Sequence, residues 1–126
     1  MSNSQGDFNP KAFLTLAKKL METQDDAAAQ RTVISRSYYS AFLLTRRKLG
    51  LERSAHGNHA DVWKALAGLG GANCLLQASH GQNLRLLRNK ADYGNTINRL
   101  ADEAKKALRT AEQIIQGIAG VEKPGR

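Results

Sequence analysis

The run Leu84-Arg85-Leu86-Leu87-Arg88-Asn89-Lys90-Ala91-Asp92-Tyr93-Gly94 puts two guanidinium groups, an amide, an ammonium, a carboxylate and a phenol into one short stretch that stops at a glycine. On a helical period of about 3.6 residues, Leu84, Leu87 and Ala91 line one apolar face. Arg85, Arg88 and Asp92 fall on another face at spacings of three and four, so Arg88 and Asp92 can pair. Asn89 and Tyr93 flank that pair on the next stripe. Guanidinium forks suit phosphate oxygens, and the amide and phenol add further donors. The stretch therefore has the composition of a site that binds or processes phosphate. The same residues can instead tie a helix bundle together through local ion pairs.

A second basic set, Arg31, Arg36, Arg46, Arg47 and Lys48, belongs to a different segment. If the two segments pack side by side, they build a positive groove with amide and phenol groups between the charges. That arrangement suits RNA, whose phosphates take arginine contacts and whose bases stack. The competing reading is a set of solvated faces with local pairs. The net charge of +8, from 19 Lys+Arg against 11 Asp+Glu, raises the local concentration of polyanions without identifying them. Tyr38 and Tyr39 can stack nucleobases. At helical spacing with Ile34 and Phe42, however, Tyr38 reads as core, its hydroxyl reaching a polar partner.

Other chemistry has little to stand on. The chain lacks a P-loop, a Gly-x-Gly-x-x-Gly, a Gly-x-Ser-x-Gly and a His-Glu-x-x-His. His56, His59 and Asp61 form only a weak metal pattern in or beside a loop, so no metal or cofactor is expected. The single Cys74 excludes an internal disulfide and fits a reducing cytoplasm. No apolar run reaches the ~20 residues of a bilayer-spanning helix, and the polar start of the chain lacks a signal-peptide pattern. A cytoplasmic protein with no membrane partner is expected.

The elements that must position these residues are helices. Asn9-Pro10 opens the first, whose buried stripe is Phe13, Leu16, Ala17 and Leu20. Asp25-Asp26 start a longer one with the inner stripe Ile34, Tyr38, Ala41, Phe42, Thr45 and Leu49. Tyr39 and Leu43 widen that stripe, which predicts a central helix or one that buries a second face in a homodimer. Gly50 ends it. A polar loop over 50–58 leads to a third helix over 58–69, packed through Val62, Trp63, Leu66 and Leu69. Asn73 is a candidate cap for a fourth helix over 74–93. Gly94 suits its left-handed end, and Asn95 or Thr96 can cap the last helix. That helix carries the stripe Ile97, Leu100, Ala104, Ala107, Leu108, Ala111, Ile114, Ile115 and Ile118. The expected fold is all-α: an antiparallel up-down bundle of four principal helices plus one short helix over 8–119, with flexible ends at 1–7 and 120–126.

Two segments, Arg36-Ser37-Tyr38-Tyr39-Ser40-Ala41-Phe42 and Leu87-Arg88-Asn89-Lys90-Ala91-Asp92-Tyr93, together resemble prokaryotic HEPN-domain proteins. The branch is that of small stand-alone members with an Arg-x-x-Ala-Asp-Tyr signature, and the resemblance spans 8–119. It implies a dimerising helical bundle acting on RNA in toxin–antitoxin or antiphage systems, with a small nucleotidyltransferase-type antitoxin as a partner. Catalytic members carry Arg-(polar)-x-x-x-His, the arginine stabilising the scissile phosphate and the histidine assisting proton transfer. Here Arg88-Asn89 fits the first half, but Tyr93 stands at the histidine position, with Gly94 and Asn95 at the longer spacings. His80, two turns upstream, does not occupy that place. A phenol with a pKa near ~10 is a poor base at neutral pH. The resemblance thus implies a non-catalytic module that binds RNA or a partner through Arg36, Tyr39, Arg46, Arg47, Arg85, Arg88, Lys90 and Asp92. The alternative is a metal-independent endoribonuclease toxin with an altered site built on Arg88, Asn89 and Tyr93.

Overall fold

The computed structural model describes residues 8–122, and among them every regular element is a helix. The helices are α1 (Lys11–Thr23), α2 (Ala27–Lys48), α3 (His59–Gly68), α4 (Ala72–Asp92) and α5 (Leu100–Gly117). The expected flexible N-terminus and the last four residues of the tail lie outside the described residues.

Side chains at the starts account for three of the boundaries. The Asn9 side-chain oxygen accepts from the Lys11 amide at 3.0 Å, Asp26 from Ala29 at 2.8 Å and Asn58 from Asp61 at 2.9 Å. Each satisfies an amide that the first helical turn leaves without a partner. α2 packs against all four other helices. It can do so because its stripe of Ile34, Tyr38, Ala41, Phe42 and Thr45 is joined by the buried small residues Ala29, Ser37 and Ser40. Small side chains let neighbouring helices approach from more than one side.

Contacts between helix ends show an up-down order. Arg47, at the end of α2, donates to the Phe8 carbonyl just before α1 at 2.7 Å. Arg31, at the start of α2, donates to the Lys90 and Ala91 carbonyls at the end of α4, both at 3.1 Å. Asn73, at the start of α4, donates to Gly117 at the end of α5 at 2.7 Å. Consecutive long helices therefore run antiparallel. The Lys48 ammonium reaches the Ala119 carbonyl at 2.6 Å, so α2 and α5 finish at the same end.

Several sequence expectations need correction. Leu16 is 42% exposed, because the buried face of α1 centres on Ala17 and takes Leu14, Leu20 and Met21 around it. Leu69 is likewise exposed, lying beyond the end of α3. Asn73 sits inside α4, after Gly71 with φ 86°, and links two helices instead of capping one. Gly94 does close α4, at φ 75°. Neither Asn95 nor Thr96 caps α5, which begins only after Arg99, itself left-handed at φ 56°. The Asn95 carbonyl accepts from Arg31 at 2.8 Å, which holds this stretch as a linker along α2.

Candidate nucleic-acid interface

A buried hydrogen-bond chain lies where α2, α3 and α4 meet. Tyr38 is fully buried; the Trp63 indole N–H donates to its Oη at 3.1 Å, and its Oη lies 2.7 Å from His59 Nδ1. Indole can only donate, so Tyr38 accepts there, and the buried phenol proton is assigned to its one other partner, His59 Nδ1. This assignment from the network leaves His59 protonated at Nε2. The imidazole stacks on Phe42, with ring centroids 4.1 Å apart. Burial, and then the Arg88, Arg85 and Arg46 charges, lower the His59 pKa from 6.5 to about 4. Burial raises Tyr38 to about 12. Both groups are neutral at pH 7, and His59 Nε2–H is a donor without charge.

Cations surround this neutral floor. The Arg88 guanidinium lies 5.0 Å from the Tyr38 ring and 5.1 Å from the Tyr39 ring, a cation–π arrangement. Its residue is only 7% exposed. The half-buried Arg46 lies 5.5 Å from the Phe42 ring. Arg85, also half-buried, has only a marginal contact with Gln82 at 3.5 Å. Among the described residues, the one carboxylate paired with any of the three is Asp92, whose Oδ2 is 3.4 Å from Arg88 Nη1. The Nε atoms of Arg46, Arg85 and Arg88 are all buried without a partner among the described residues. An orphaned buried donor costs about 1–3 kcal/mol, and native folds hold few of them. Three in one cluster, with one carboxylate for three cations among the described residues, leave this site with a surplus of positive charge.

The structure separates the predicted basic residues into two groups. Arg31, Arg47 and Lys48 hold helix ends together through backbone carbonyls, and Arg47 also pairs with Glu52 at 3.3 Å. Arg36, Tyr39, Arg46, Arg85, Arg88 and Asp92 gather around the aromatic floor or beside it. Lys90 is exposed, and Asn89 is half-buried. Tyr93 is 78% exposed, and no ring contact among the described residues joins it to Arg88. His80 faces away, in a groove with Glu103 and Lys106 between α4 and α5. No protein-family model, curated protein or solved structure matches the chain.

His59 is the member of the site that sequence reasoning missed. It appeared beside His56 and Asp61 as a weak metal pattern. In the structure His56 lies 3.8 Å from Asp61, whereas His59 turns inward to Tyr38. The available signal was the start of α3 itself. With Asn58 as cap, His59 falls one turn before Val62 and Trp63 and so shares their inward side.

Proposed function

We propose that this protein is a HEPN-like, non-catalytic RNA-binding module of a prokaryotic toxin–antitoxin or antiphage system. One observation carries the RNA-binding part: Arg46, Arg85 and Arg88 converge on a neutral histidine, with Asp92 as their only paired carboxylate among the described residues. Guanidinium groups recognise phosphodiester oxygens, and the half-buried Tyr39 beside them offers a ring to a base. The surplus of +8 favours encounter with a polyanion. The biological setting rests on the motif resemblance, as does a nucleotidyltransferase-type antitoxin partner.

A second reading has a specific observation behind it. His59 stands among the arginines, so an Arg–His combination exists even though Tyr93 replaces the motif's histidine. The endoribonuclease alternative would use Arg88 and His59. The hydrogen-bond chain argues against it: Nδ1 is occupied by Tyr38, Nε2 already carries its proton, and a pKa of about 4 keeps the ring from acting as an acid at neutral pH. Incubation of purified protein with labelled single-stranded RNA, without added metal, tests both. RNA that stays bound and intact is expected, with Arg88→Met losing most of the affinity. Cleavage that disappears in His59→Ala would establish the ribonuclease reading instead, and absence of binding at low salt would remove the RNA assignment.

A further inference from the structure

Beside the arginine cluster, on the outer side of Tyr39, a surface depression is lined by Phe13, Ser35, Arg36, Tyr39, Leu43 and Asp92. The Arg36 guanidinium is 4.7 Å from the Phe13 ring and 5.3 Å from the Tyr39 ring, and its Nη2 donates to Ser35 Oγ at 3.2 Å. It is thus a planar cation held by two aromatic rings beside the depression, where it can face a nucleobase edge or phosphate. Asp92 contributes the carboxylate. Its contact with Arg88, 3.4 Å, is well beyond the roughly 2.7–2.9 Å of a committed charge-assisted bond. Its side chain is 32% exposed, and its Oδ1 accepts no hydrogen bond among the described residues.

We infer that this depression is a nucleobase pocket selective for guanine, with Asp92 as the specificity-determining residue; the inference rests on the RNA-binding reading. Guanine presents two adjacent donors, N1–H and the N2 amino group, which the two oxygens of one carboxylate can accept together. Adenine and cytosine each place a ring acceptor beside their amino donor, against the carboxylate's negative charge. Uracil offers one N–H between two carbonyls. Charge and hydrogen-bond direction therefore act against the wrong bases as well as for the right one. Tyr39 and Asp92 line the depression and both contact Arg88 of the arginine cluster, so one nucleotide can set its base in the first and its phosphate in the second.

Anisotropy titrations of labelled oligouridine carrying one central guanine, inosine, adenine or cytosine read the selectivity. Guanine is expected to bind roughly tenfold tighter than adenine, within the range of a bidentate base contact. Inosine, which keeps N1–H but lacks the amino group, should fall between them. Asp92→Asn should erase the preference, bringing the guanine and adenine oligomers to the same affinity. Equal affinities for all four oligomers would overturn the pocket and leave RNA binding standing. So would a guanine preference that survives Asp92→Asn, or a variant that weakens every oligomer by the same factor. Failure of every oligomer to bind at low salt would overturn the RNA reading and the pocket with it.

Discussion

Arg85 and Arg46 raise the local positive charge without gaining a carboxylate, so in the free protein they repel Arg88 and each other. Residues kept for binding commonly cost stability. Arg85→Gln and Arg46→Gln are therefore expected to leave the melting temperature unchanged or raise it by a few degrees, while weakening RNA binding. A structural brace would show the reverse: a lowered melting temperature with affinity intact. The neutral pair His59 and Tyr38 sets a pH window. His59 titrates at about 4 in the fold against 6.5 unfolded, so its contribution is present above 6.5 and is lost as pH falls toward 4. Tyr38 titrates at about 12 against 10.0 unfolded, so its contribution is present below 10 and is lost as pH rises toward 12. Thermal melts across pH should show a plateau between about 6.5 and 10. The acid limb should flatten in His59→Asn. An unchanged acid limb in that variant would mean that other groups cause it.

α3 and α4 are in contact through Gly81, where any Cβ would overlap the Trp63 ring. Alanine is the better helix former by about 1 kcal/mol, but overpacking costs about 1–3 kcal/mol. A rigid, fully buried indole places this case toward the upper end. Gly81→Ala should thus lower the melting temperature and shift the Trp63 fluorescence. Because Trp63 donates to Tyr38, and Tyr38 orients His59, the same change should weaken RNA binding. Normal stability and unshifted emission would contradict this packing. At this scale much was legible in the sequence. The α2 stripe from Ile34 to Leu49 and the Arg88–Asp92 pairing follow from spacing within one helix, where period alone fixes the face. What was not legible depends on partners remote in the chain. Asn73 resembles a cap until α5 brings Gly117 beside it, and Asn95 resembles one until Arg31, far upstream, is seen to bind its carbonyl. His59 meets Tyr38 across 21 residues, a contact that no local pattern encodes.

Across the whole molecule, Tyr39 and Leu43 of α2 pack half-buried against the core and line the surface depression beside Phe13 of α1. Exposed large apolar residues are scattered over Phe8, Leu16 and Leu69, but the most exposed leucines are on α4, where Leu75, Leu76 and Leu86 are 55%, 52% and 60% exposed. The dimer proposed from the HEPN resemblance is therefore expected to form through the outer face of α4. Light scattering at tens of micromolar should give a dimer for the unaltered chain and a monomer for Leu86→Glu; a monomer for both would exclude it. Charge operates at the same scale. In the proposed RNA-binding role the +8 surplus would supply encounter in general and the arginine cluster the bound contacts, and salt dependence separates the two. The most direct measurement is the slope of log Kd against log salt concentration for single-stranded RNA, taken for the unaltered chain and for Arg85→Gln. Each phosphate neutralised on a single strand contributes about 0.7 to that slope. The account predicts steep salt dependence, reduced by about 0.7 in Arg85→Gln. Identical slopes for the two proteins, or affinity indifferent to salt, would contradict it.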